Sequence, residues 1–335
     1  MSRQLSLFEN EIRPGAVRRA AEITAAPVPP EVLDLARRLP AGIRLGASSW
    51  HFPGWHGSVW GNTVPPGDLA RHGLAVYAQH PLFRAVGIDR AFHAPLSAWQ
   101  YEAHARQVPD DFRFLVKAPG ILTSAWVHGD HATKSAPNAQ FLDVDYAIEQ
   151  FIRPATEGLG AKAGILLFQF SPLGRTLTRA PERFVAQLHD FLERLPKGPR
   201  YAVEMRDARI ITRRFFASLR DTGVHYSVGI HPRMPPVAAQ AAAMSGFGAA
   251  PLLVRWNLRA GYGHDDAERR FAPFDRLIEE DSATRESIAR LCVATLAAGQ
   301  ECTVIANNKA EGSAPLTLIK LAQAIVAAMR RSENS

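Results

Sequence analysis

From Gly42 onward, short apolar runs alternate with segments whose apolar residues recur every three or four positions. That is the pattern of strands each followed by a helix that covers it. Eight runs read as strands: 43–47, 84–89, 112–118, 164–170, 201–205, 224–230, 252–256 and 303–307. Among the helical stripes, one opens at Pro137 and carries Phe141, Val144, Ile148, Phe151 and Ile152. A later one carries Ile288, Leu291, Cys292 and Thr295, and the last carries Leu318, Leu321, Ile325 and Met329. Eight β-α units, with no Gly-x-Gly-x-x-Gly turn after any strand, predict an α/β fold of the TIM-like (β/α)8 barrel type rather than an open doubly wound sheet.

The chain before the barrel differs. Pro14, Pro27, Pro29, Pro30 and Pro40 interrupt residues 9–41, which predicts a tether followed by one short helix over 31–38. The expected organisation is therefore a flexible N-terminal extension, 1–41, and a barrel, 42–331. Residues 231–250, with Pro232, Pro235, Pro236 and an alanine-rich run, read as a long insertion after the sixth strand.

Composition narrows the class. Of 335 residues 47% are hydrophobic and 21% charged, which excludes disorder throughout. Lys+Arg 39 against Asp+Glu 32 gives +7, compatible with a phosphate-bearing partner but also with many proteins that bind no nucleic acid. Arginine supplies nearly all of the cations, and its fork suits phosphate. Cys292 and Cys302 are the only cysteines, too few for a disulfide framework or a zinc cluster, and both read as reduced core residues. No leader-like segment and no run of about 18 apolar residues is present, so the expectation is a cytoplasmic protein without a membrane span.

Barrel enzymes place their chemistry at the carboxyl ends of the strands, and polar residues fall there in this chain. Glu204, beside Arg206 and near Lys117, would be held ionised, either as an orienting or metal-holding carboxylate or as a buried ion pair closing the barrel top. Asp89 and His93 read either as a carboxylate-imidazole pair for proton transfer or as loop-capping residues. Gln169, Arg255, Asn257, Asn307 and Asn308 complete the expected ligand-binding set. Arg255, Arg259, Gly261, Gly263, Asn308, Lys309 and Gly312 form the loops where barrels often hold phosphate; the alternative is a solvated basic surface. Trp50, Phe52, Trp55 and Trp60 read equally as a stacking platform or as the core of a lid. No His/Asp/Glu cluster has metal-ligand spacing, so a divalent metal rests on Glu204 or Asp89 alone, and His225 with His231 makes a weak zinc pair.

Gly46-Ala-Ser-Ser-Trp50 with Trp55-His-Gly57, Phe114-Leu-Val-Lys-Ala-Pro119, Phe168-Gln-Phe170, Val203-Glu-Met-Arg206, and Asn307-Asn308 with Ala314-Pro315 resemble, in order, the YecE-like family, also called domain of unknown function 72. The resemblance runs from about Ile43 to Leu321 and implies a TIM-like barrel with its site at these residues, but no reaction. The sequence departs from the family's pattern at Gly87 and Asp89, where Glu and Asn are usual, at His93 in place of Tyr, and at Ser124 and Asp207 in place of His.

At the other end, Gln4-Leu5-Ser6-Leu7-Phe8 resembles the peptide by which bacterial replication and repair proteins dock on the DNA sliding clamp. Two leucines and a phenylalanine on a tether can fill a partner's groove, or can pack on the barrel's own surface. Three functions are then open: a clamp-recruited barrel acting on DNA or a nucleotide phosphate, by phosphodiester hydrolysis if catalytic; a sugar-phosphate isomerase or hydrolase without a role on DNA; and a non-catalytic clamp-tethered binding module.

Overall fold

Each of the eight apolar runs becomes a parallel strand in a computed structural model that describes residues 22–128 and 135–333. They are β1 (Ile43–Ala47), β2 (Phe83–Ile88), β3 (Arg113–Lys117), β4 (Ala163–Gln169), β5 (Tyr201–Glu204), β6 (His225–Ile230), β7 (Leu252–Trp256) and β8 (Cys302–Ala306). Neighbours in sequence are neighbours in space, and β8 closes on β1 with Ile43 opposite Cys302 and Ala47 opposite Ala306. The expected TIM-like barrel is thus observed.

Strand alternation sorts the side chains into two cores. Inside the barrel Ala85, Leu115, Leu167, Ala202, Leu253 and Ile305 form a small apolar plug. The outward residues, among them Phe114, Phe168, Val203, Val254 and Val304, join the large core under the helices. The plug's positions matter for function. Two residues after Leu115, Leu167, Ala202, Leu253 and Ile305 come Lys117, Gln169, Glu204, Arg255 and Asn307, so the same alternation aims all five at the carboxyl-end mouth. Gly46 allows β1 to close against β2: a β-carbon there would lie 2.0 Å from the Ala85 carbonyl oxygen, where the register between the two strands shifts.

Three local expectations give way. The stripe that began at Pro137 does not start a helix there, because Pro137 ends a short antiparallel ribbon of Trp126–His128 with Ser135–Pro137. Asn138 then donates to the carbonyls of Ile121 and Ser124. The helix begins only when the Asp143 side chain accepts from the Tyr146 amide. From there the stripe proceeds through Val144–Ala147, a π-turn over Ile148–Ile152 and Arg153–Leu159. Phe141 instead meets Phe170 edge-on.

Residues 231–250 are not an insertion but the covering helix of the sixth unit, Val237–Met244, started by Pro236 at its cap and packed on β6. Its Gln240 is buried. Gln240 accepts from the Tyr226 hydroxyl at 2.7 Å and donates to the Gly229 and Pro235 carbonyls at 3.0 and 2.6 Å. Gln240→Leu strands those groups and is expected to cost about 2–3 kcal/mol in urea unfolding; a loss below about 1 kcal/mol would show that the helix needs no polar tie.

Residues 22–41 lie on the barrel rather than forming a tether. Thr24 bonds Asn62, Ala25 bridges to Trp60, and Val32 and Leu35 of the helix Pro30–Arg38 are buried, with that helix against the last one, Ala314–Glu333. The expected peptide Gln4–Phe8 lies outside the described residues. Among the described residues no helix is long and apolar enough to cross a membrane.

Candidate functional site

Glu204, at the end of β5, is fully buried and sits at the centre of the mouth. Its Oε1 takes Arg206 Nη2 at 2.6 Å and Asn257 Nδ2 at 3.2 Å, and its Oε2 takes Arg255 Nη1 at 2.9 Å. Gly229 on β6 lies against this carboxylate: a β-carbon there would sit in ordinary van der Waals contact with it, at 3.4–3.5 Å. Burial pushes the Glu204 carboxyl up, but Arg206, Arg255 with its hydrogen bond, and Lys117 together hold it below the usual range. A carboxylate so held is a poor proton acceptor and a firm electrostatic anchor.

The arginines spread outward from this anchor. Arg206 Nη2 also reaches Gln169 Oε1 at 3.3 Å; Arg255 reaches the same oxygen at 3.1 Å and both oxygens of Asp89 at 3.4 Å. Asp89 is about a third exposed, so it forms the solvent edge of the cluster. Arg206 Nη1 is buried with no hydrogen-bond partner among the described residues.

Lys117 ends β3 with its ammonium 3.7 Å from the centre of the Phe92 ring, on the short turn Arg90–Phe92 after β2. Its pKa falls from 10.5 to about 8. Burial is the main cause; Arg255 and Arg206 lower it further, and Asp89 and Glu204 only partly oppose them. The result is an amine that changes charge close to neutral pH, stacked on an aromatic face and ringed by groups of both signs.

Asp89, Lys117, Gln169, Glu204, Arg206, Arg255 and Asn257 therefore come together as one polar cluster. Asn307 stands beside it, donating to Ser48 Oγ at 2.9 Å. Other expected members are placed elsewhere. Asp89 and His93 do not pair, because Asp89 is drawn to Arg255 while His93 meets Phe92 edge-on. Trp50 is buried against His51 and His104 as part of the lid core. Asn308 is also buried, with its oxygen taken by Trp55 Nε1 and the Ala314 amide that starts the last helix. In the expected phosphate loops, Arg259 is bound by Asp281 and Glu279, and Lys309 by Glu268. Those cations are already neutralised.

Sequence reasoning gave Phe92 no role as the platform for Lys117, and weighed His231 only as a weak zinc ligand. His231 follows β6, and its pKa is lowered to about 4 by burial and then by Arg206, so it stands neutral beside the cluster. The amide of Arg233 reaches its Nδ1. Among the described residues no three His, Cys, Asp or Glu side chains group as metal ligands. A divalent metal was expected on Glu204 or Asp89; the Glu204 oxygens are occupied by guanidinium and amide donors and both Asp89 oxygens face Arg255, so this donor set does not fit one.

The model of the family described as "Protein of unknown function DUF72" matches residues 44–334. Among solved structures, a DUF72 family protein from Enterococcus faecalis is 18% identical with a TM-score of 0.55, covering 84% of this chain and 95% of its own. Another from Thermotoga maritima is 17% identical with a TM-score of 0.53, covering 88% and 99%. These likenesses are of fold. No curated protein matches the chain.

Proposed function

The chain belongs to the DUF72 family, and from the geometry of its barrel mouth we propose that it binds a small anionic metabolite there, of the sugar-phosphate or carboxylate kind, with Lys117 as the proton-transfer group. The observation that carries this reading is the Lys117 amine, 3.7 Å from the centre of the Phe92 ring at the edge of the Glu204 cluster, where burial lowers its pKa to about 8. A catalytic acid or base works best when its pKa lies near the working pH. In this reading Arg206 and Arg255, oriented by Glu204, supply the positive charge for the anion, and Arg206 Nη1, buried and without a hydrogen-bond partner among the described residues, is the donor the ligand would take up. Gln169, Asn257 and Asn307 would fix its hydroxyl or carbonyl oxygens.

Phosphodiester hydrolysis on DNA has less support. It calls for a metal or a water-holding carboxylate, and Glu204 is saturated; it also calls for free cations over several phosphates, and Arg259 and Lys309 are paired. Calorimetric titration with small phosphorylated and carboxylated compounds is expected to give one saturable ligand at the mouth. Its affinity should fall above about pH 8 and drop at least about tenfold in Lys117→Met and in Arg206→Gln, the loss of one charge-assisted contact. Binding only of oligonucleotides, with a steep salt dependence, would overturn the reading.

Recruitment is a separate element of the proposal. The peptide Gln4-Leu5-Ser6-Leu7-Phe8 would dock on the sliding clamp and keep the barrel nearby through the residues that follow it. Deleting residues 1–10 is expected to abolish clamp binding in a calorimetric titration and to leave the mouth's ligand affinity unchanged; equal clamp binding with and without them would remove this element.

A further inference from the structure

The apolar plug has two sides. Two residues before Gly46, Leu115, Ala202 and Ser227 on the inward face come Arg44, Arg113, Arg200 and His225, so the alternation that sends Lys117 and Glu204 to one mouth sends three arginines and a histidine to the other. There they line a cavity of about 230 Å3 at the amino ends of the strands, with Glu301 and Thr303. We propose that this amino-end cavity is a second binding site, for a small oxyanion of phosphate size.

The lining carries more positive than negative charge. Glu301 is the carboxylate of the cavity, and it serves two guanidiniums: Arg44 at 3.2 Å and Arg200 at 3.0 Å. Hydrogen bonding from Arg200 and Arg44 outweighs burial and holds Glu301 ionised, below the usual carboxylate range. Arg113 Nη1 donates to the carbonyls of Asp110 and Phe112, which aim the guanidinium without neutralising it. Arg44 is more enclosed than Arg200, its side chain 14% exposed, and its Nε is buried with no hydrogen-bond partner among the described residues. Burial, and then Arg200, keep His225 below its ordinary pKa, so a neutral imidazole completes the lining. Three forks facing one carboxylate in a concave space suit a tetrahedral oxyanion, which accepts bidentate bonds from arginine.

Full-length protein carrying Lys117→Met, which removes the amine of the other mouth, is titrated calorimetrically with inorganic phosphate. Saturable binding is expected. It should weaken at least tenfold in Arg44→Gln with Arg113→Gln, and tighten several-fold in Glu301→Gln, where the competing carboxylate is gone. The last variant separates a binding site from a purely structural ion cluster, because a structural role gives Glu301→Gln only a lower Tm. Should the double arginine variant fail to fold, Arg200→Gln, whose side chain is more than half exposed, takes its place and should weaken binding several-fold. Absence of saturable phosphate binding, binding indifferent to the arginines, or binding weakened by Glu301→Gln would overturn the site.

Discussion

Glu204→Gln is expected to destabilise the protein by about 3–5 kcal/mol at neutral pH, the cost of breaking a buried ion pair from one side. Gln has the same shape, so packing is preserved, and what changes is charge. Arg206 at 2.6 Å and Arg255 at 2.9 Å would face an amide in place of a carboxylate, and only the partly exposed Asp89 would remain to balance them and Lys117. The same substitution should push Lys117 further below about 8, because Glu204 is one of the two groups that hold its proton on. Urea unfolding at pH 7 measures the first effect; a loss under about 1 kcal/mol would mean that the arginines do not depend on Glu204. The wild-type contribution of Glu204 is present above the ordinary carboxylate range and is lost as pH falls through its depressed folded value.

Lys117→Met should act in the opposite direction. The folded amine releases its proton at about 8, whereas the unfolded one holds it to 10.5, so at pH 7 the fold carries a disfavoured charge. Removing that charge is expected to stabilise the protein by up to about 3 kcal/mol, the shift expressed as free energy, and to raise Tm by several degrees. The sign reverses the usual outcome for a buried ion-cluster residue. Between pH 8 and 10.5 the unfolded chain binds more protons than the folded one, so wild-type stability climbs relative to the variant, and the advantage of Met disappears above 10.5. A variant less stable than wild type at pH 7, or a difference constant with pH, would contradict the depressed value. A residue that lowers stability where it sits and yet occupies the mouth fits a functional rather than a structural assignment.

The barrel was legible because each strand is a short apolar run with a helix-spaced segment between, and eight of them leave few other closed arrangements. Strand alternation also made the mouth readable: Lys117, Gln169 and Glu204 each end a strand on its inward face, and Arg255 stands one residue before the end of β7. What periodicity cannot carry is the path of the connections. The helix expected at Pro137 starts later because Asn138 ties the loop to two carbonyls, and the alanine-rich run after Pro236 is a covering helix held by Gln240. His93 turns to Phe92, and Asn308 is committed to Trp55 and the last helix, through loop conformations that leave no spacing signal. The amino-end arginines did leave one. Arg113 and Arg200 each stand two residues before an inward plug position, and Arg44 two before the inward Gly46, but attention to carboxyl ends passes over them.

The central claim is that the mouth holds an amine poised near neutral pH, and the protonation of Lys117 itself tests it most directly. The chain has only six lysines, at 117, 134, 162, 197, 309 and 320. Side-chain NMR of protein with isotopically labelled lysine therefore gives few resonances, and Lys117→Met assigns the one that matters. The account predicts a resonance titrating near pH 8 that vanishes in the variant; a Lys117 resonance that titrates near the ordinary lysine value of 10.5 would contradict it.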